Sequence, residues 1–121
     1  MHDQPRQSQL VVDCGEPAVL AAFWGALLGG LPVDRDPAWS YVDPPQGLRM
    51  AFQKVPEPKS LKNRLHLDLA VPDVDAAAAG AERLGGTRAG ALQKDDQGAF
   101  QVMRDPGGNE FCFVEAPASG A

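Results

Sequence analysis

The chain has 121 residues, 44% of them hydrophobic and 22% charged, with a formal net charge of −5. That length suits one ordinary domain with a proper core, and no apolar run approaches the ~20 residues of a membrane span. The acidic balance argues against a nucleic-acid partner, which needs a basic face to offset phosphate.

Met1 to Gln9 is polar, so no signal peptide is expected there. Gln9–Cys14 alternates as a strand, with Leu10, Val12 and Cys14 on one face and Gln9, Val11 and Asp13 on the other. Gly15-Glu16-Pro17 turns the chain, Glu16 being placed to cap a helix and Pro17 suiting its first turn. Val19, Leu20, Phe23, Leu27 and Leu28 form its apolar stripe, and Gly29-Gly30 ends it. Leu31–Asp36 and Trp39–Val42 read as short strands, Pro44–Gly47 as a turn, and Leu48–Val55 as a clear strand. Pro56–Asn63 reads as a linker.

Leu65–Val71 is the next strand, and Asp73 caps a helix over Val74–Leu84 closed by Gly85-Gly86. Thr87–Leu92 and Ala99–Arg104 read as strands around a polar Gln93–Gly98 turn. Asp105-Pro106-Gly107-Gly108-Asn109 makes a tight turn into the last strand, Glu110–Glu115, and the tail after Ala116 is small and expected to be mobile. Glu110 and Glu115 are read as solvated surface charges, and the four Lys or Arg of Lys54–Arg64 as a solvated loop or a rim for an anionic ligand.

The second half repeats the first. Leu65–Asp73 lies 57 residues after Ser8–Glu16, and both helices end in Leu-Gly. The chain is therefore expected to be a single α+β domain of two βαβββ modules, about 8–56 and 64–116, joined by a linker at 57–63. A curved mixed, mainly antiparallel sheet is expected to enclose a cleft fed by both halves. Cys14 and Cys112, both within strands, are expected to be reduced thiols of a cytoplasmic protein.

Three segments carry a family resemblance: Asp13-Cys14-Gly15-Glu16-Pro17 through Ala22-Phe23-Trp24 to Leu27-Leu28-Gly29, then Lys62-Asn63-Arg64-Leu65-His66-Leu67-Asp68-Leu69, then Asp105-Pro106-Gly107-Gly108-Asn109-Glu110-Phe111. Together with Ala51–Lys59 they resemble the bacterial glyoxalase-like domain proteins of the vicinal oxygen chelate superfamily, which includes glyoxalase I, extradiol dioxygenases and bleomycin resistance proteins. Metal-dependent members hold a divalent ion with one side chain from the first and one from the last strand of each half. Carried over, the first-strand positions fall on Gln9 and His66, both competent donors. The last-strand positions, usually Glu, fall on Ala51 and Cys112; a shifted register offers only Phe52 or Gln53. Hard cations need carboxylate oxygen, so no metal cofactor is expected; a residual divalent site would use Gln9, His66 and Cys112.

By strand parity, Gln9, Asp13, Arg49, Gln53, His66 and Asp68 point into the cleft with Cys112, and Trp39 and Tyr41 stand beside it as walls for a planar ligand. Arg49 and Asp68 are candidates for an ion pair. His66 and Asp68 are the candidate proton-moving groups. Cys112 reads as a buried filler rather than a nucleophile. The resemblance implies a homodimer binding a small hydrophobic or aromatic molecule, probed against two alternatives: a metal-dependent lyase, isomerase or dioxygenase, and metal-free acid–base catalysis.

Overall fold

A computed structural model of the chain describes residue 4, residues 6–96 and residues 98–115. The backbone divides between Pro58 and Lys59 into two compact units. The fold is α+β, and no helix among the described residues is long and apolar enough to cross a membrane.

In the first unit β1 (Gln9–Cys14), α1 (Pro17–Leu28), β2 (Pro32–Asp36), β3 (Trp39–Val42) and β4 (Arg49–Lys54) follow in order. The sheet order is β1-β4-β3-β2; β1 and β4 run parallel and the other neighbours antiparallel. Helix α1 packs on β2, β3 and β4, burying Leu20, Phe23 and Trp24 with Val42, Met50 and Phe52. Each such side chain contributes about 1.5–3 kcal/mol by leaving water. The alternate residues of the same strands form the opposite face. Glu16 makes no side-chain cap; its carbonyl oxygen accepts from the Val19 and Leu20 amides. Pro17, at the start of the helix, has no N–H to satisfy, which removes part of the need for a cap.

The second unit contains β5 (Asp68–Ala70), α2 (Val74–Arg83), β6 (Thr87–Arg88), β7 (Gln93–Asp95), β8 (Gly98–Arg104) and β9 (Glu110–Glu115). Its order is β5-β9-β8-β6, with β7 also on β8 and only β5–β9 parallel. Strands β6 and β7 are two pieces of one interrupted edge. The expected Thr87–Leu92 strand is therefore shorter, and three residues of the expected Gln93–Gly98 turn form β7. An exposed edge strand needs backbone pairing but no apolar face, so its polar sequence hid it. The expected strand Leu65–Val71 is also trimmed at both ends: Leu65 is 82% exposed, and the ladder spans Asp68–Ala70, flanked by bonds from the Cys112 amide to the Leu67 carbonyl and from the Val71 amide to the Val114 carbonyl.

Helix α2 is capped as expected, Asp73 Oδ1 accepting from the Ala76 amide at 3.0 Å. Glu115 is no free surface charge: its Oε2 accepts from the Val74 amide at 2.7 Å, a favourable place for a carboxylate at a helix N-terminus. The repeat is visible in the backbone. Val11 pairs with Ala51 as Asp68 pairs with Cys112, and Gly47 (φ 99°) and Gly108 (φ 84°) hold left-handed positions in the turns before β4 and β9. The tail after Ala116, and Gln97 of the β7–β8 turn, lie outside the described residues.

Candidate functional site

On the second sheet, α2 covers the side carrying Phe111, Phe113 and Met103, all buried. Alternation puts Glu110, Cys112 and Val114 of β9, and Phe100, Val102 and Arg104 of β8, on the other face. Parallel pairing sets Asp68 beside Cys112, and His66 stands two residues earlier. One ligand atom from each of His66, Asp68 and Cys112 falls within 4.8 Å of the others. His66 Nδ1 lies 3.1 Å from Asp68 Oδ1, a contact that fixes the ring and leaves Nε2 as the lone-pair nitrogen when the histidine is neutral. Burial, reinforced by the Asp68 carboxylate, pushes the Cys112 thiol up from its ordinary pKa, with Lys62 opposing. The sulfur is thus a neutral thiol at pH 7.

These groups border a cavity of about 550 Å³ whose apolar floor is Phe100, Val102 and Val114. Glu110 is another of its lining residues. It is not solvated: its side chain is 11% exposed. Glu110 Oε1 accepts from the Asn63 amide at 2.7 Å, while Oε2 lies 3.4 Å from Lys59 Nζ and 3.7 Å from Arg104 Nε. The Asn63 amide, then Lys59, hold its carboxyl below the usual range.

On the first sheet, the register places Gln9 beside Arg49, Asp13 beside Gln53, and Gln53 and Ala51 opposite Trp39 and Tyr41. All of these share the face away from α1. Trp39 and Tyr41 are half-buried, and each already has a guanidinium over its ring: Arg35 at 4.9 Å from the Trp39 centroid and Arg49 at 3.9 Å from that of Tyr41. Arg49 donates to both Asp43 carboxylate oxygens, at 2.7 and 3.0 Å. That fork lowers the Asp43 pKa and raises that of Arg49. The arginine's carboxylate partner is therefore Asp43, six residues away on the adjoining loop, and Asp68 has His66.

A family model described as a glyoxalase-like domain matches residues 9–114. The chain belongs to the glyoxalase-like domain family. It is accordingly a member of the vicinal oxygen chelate superfamily. No curated protein matches the chain. Solved structures share the fold at low identity. A glyoxalase/bleomycin resistance protein/dioxygenase family enzyme from Burkholderia phytofirmans PsJN superposes with a TM-score of 0.75 at 18% identity, over 91% of this chain and 98% of that one. A glyoxalase/bleomycin resistance protein from Albidiferax ferrireducens T118 gives 0.67 at 24% identity, over 92% and 98%. A bleomycin-binding protein from bleomycin-producing Streptomyces verticillus, solved with copper(II)-bleomycin, gives 0.65 at 17% identity, over 96% and 100%.

Measured against the carboxylate-bearing set expected from the superfamily's metal-dependent members, the donors do not fit. Ala51 is buried and offers none, and Cys112 presents a protonated thiol where the pattern has Glu. Among the described residues, His66, Asp68 and Cys112 are the one group of three or more His, Cys, Asp or Glu close enough together to share an ion.

Several residues of the site escaped the sequence reading: Phe100, Val102, Val114, Arg104 and Glu110; Lys62 belongs to the basic cluster read there as a solvated loop or an anion-binding rim. Parity with Cys112 along β9, and cross-strand pairing to β8, was the signal available for most of them. Apolar residues are assigned to the core by default, which hid the floor.

Proposed function

We propose that this protein binds a small hydrophobic or aromatic molecule against the open face of its second sheet, without the divalent-ion chemistry of its metal-dependent relatives. The observation that supports this reading most directly is the cavity of about 550 Å³ with Phe100, Val102 and Val114 as floor and His66, Asp68 and Cys112 at its border. Apolar lining with a few convergent polar groups is the usual make-up of a ligand site. The thiol and the apolar floor need no counter-ion, whereas a carboxylate at the position of Cys112 would need one. The bleomycin-binding relative is consistent with ligand capture by this fold, although fold alone does not name a ligand. The reading includes a cytoplasmic location and a homodimer, the latter tested directly by light scattering on the purified chain.

One observation favours a second reading. Imidazole, thiol and carboxylate within 4.8 Å make a set that a borderline ion such as zinc accepts. His66 and Asp68 would in that case belong to a metal-dependent lyase, isomerase or dioxygenase. Coordination would have to expel the Cys112 proton, which the buried thiol holds tightly.

The two separate by elemental analysis and native mass spectrometry of protein purified without chelator, repeated on His66→Ala. Metal at one equivalent in the parent and none in the variant overturns the metal-free reading. A small molecule retained in the parent and lost in Phe100→Asp supports it.

A further inference from the structure

A second cavity of about 670 Å³ adjoins the first, and the two share Lys62, Val102 and Glu110. Its lining differs in kind. Lys59, Lys62 and Arg104 bring three cations against the single carboxylate of Glu110, in a chain whose net charge is −5. Glu110 does not use these cations up. Its shortest bond is to the Asn63 amide, at 2.7 Å; its approaches to Lys59 and Arg104, at 3.4 and 3.7 Å, are longer. Lys62 makes no ion pair among the described residues. Gly107 and Gly108 add backbone without side chains to the same wall, room for a ligand to approach the main chain. Glu110, held in place by Asn63, keeps Lys59 and Arg104 together, which reduces the cost of gathering like charges before a ligand arrives.

We infer that the ligand is an organic anion, its carboxylate or phosphate group held by Lys59, Lys62 and Arg104 and its apolar part lying on Phe100, Val102 and Val114. This rests on the small-molecule reading above and narrows its ligand class. The shared residues make the two cavities one groove, basic at one end and apolar along its floor. A clustered positive potential in a concave site raises the local concentration of an anion and orients it on entry. The acidic groups of the neighbouring cavity, Asp68, Asp95 and Glu115, repel the same charge and so fix which end the head group takes.

The test uses three probes with one apolar tail: 4-phenylbutyrate, 4-phenylbutyl phosphate and 4-phenylbutanol. Each is titrated into the full chain at low salt and followed through backbone amide resonances. The expected result is that both anions bind at least tenfold tighter than the alcohol, shifting the Gly107 and Gly108 amides together with those of Phe100 and Val114. The tighter of the two anions identifies the head group. Lys62→Glu is expected to weaken the anions at least tenfold and leave the alcohol unchanged. Lys94→Glu, which alters net charge equally on the exposed β7, is expected to do neither. Equal binding of all three probes on Phe100 and Val114, unaffected by Lys62→Glu, overturns the anion assignment and leaves the small-molecule reading standing. Absence of any shift on this face up to millimolar probe overturns both.

Discussion

Asp105 begins the turn that delivers β9, and its removal is the sharpest test of how the second half of the site is built. The side chain is buried. Its Oδ1 accepts from the Gly107 and Asn109 amides, each at 2.9 Å, and Oδ2 receives the Asn109 side-chain amide at 3.4 Å. The backbone closes the same loop, the Asp105 amide donating to the Asn109 carbonyl and the Gly108 amide to the Asp105 carbonyl. A hydrogen bond to a charged group contributes about 1.5–3 kcal/mol net, and the two short bonds share one oxygen, so Asp105→Ala is expected to cost about 3 kcal/mol. For a chain of this length that corresponds to a melting temperature lower by roughly 10–15 °C. Asp105→Asn keeps an acceptor oxygen and is expected to lose about half as much. Both tryptophans and the single tyrosine lie in the first unit, so intrinsic fluorescence is the wrong probe. Calorimetry, with hydrogen exchange at the β9 amides, reads the right part of the chain. A loss below about 0.5 kcal/mol for Asp105→Ala, within the range of ordinary surface substitutions, would refute the idea that this carboxylate organises the turn.

Gly25 of α1 has no room for a side chain: a Cβ there would sit 2.7 Å from the Gly30 carbonyl oxygen and 3.2 Å from Val42 Cγ1. Gly25→Ala should therefore destabilise by about 1–3 kcal/mol despite alanine's better helix propensity, measured as a drop in denaturant midpoint at unchanged slope. The depressed carboxyl of Glu110 makes a pH prediction. Its stabilisation is fully present above the unfolded glutamate value of about 4.3 and is lost as pH falls through the lower folded value. Between about pH 5 and pH 3 the parent should lose stability more steeply than Glu110→Gln; parallel curves would contradict the role given to Asn63 and Lys59. The raised thiol of Cys112 should react with iodoacetamide at pH 8 at least tenfold more slowly than glutathione, and at the free-thiol rate once the chain is unfolded.

Local patterning carried the parts of this fold that obey a local rule. The alternation of β1, β4 and β9, the Asp73 cap and the glycines after both helices were all legible because each depends on residues within one turn or one strand. The 57-residue offset extended that reach to the first strands, setting Gln9 against His66, and matching Gly47 with Gly108 set Ala51 against Cys112; the ladders pair Val11 with Ala51 and Asp68 with Cys112. What failed was what distance decides. Glu110 read as a solvated charge because its partners Asn63 and Lys59 lie 47 and 51 residues away. Strand β7 was missed because an edge needs no apolar pattern. Arg49 found Asp43 across the Pro44–Gly47 turn, a pairing that the choice of Asp68 overlooked.

The positions that depart from the superfamily pattern are not energetically neutral. A carboxylate at Cys112 would stand between Val102 and Asp68 on neighbouring strands, under the same burial that raises the thiol's pKa. With no cation it would be driven toward its protonated form by both burial and the adjacent charge. A thiol in that place is stable without any ion and adds no charge beside the apolar surface of Phe100, Val102 and Val114. The cations of this face gather instead around Glu110, at the other end of the groove. The face thus sets apolar contact beside fixed positive charge, the two meeting at Lys62, Val102 and Glu110. An apolar molecule with one anionic end suits both without a metal ion, whereas a neutral chelating substrate suits neither.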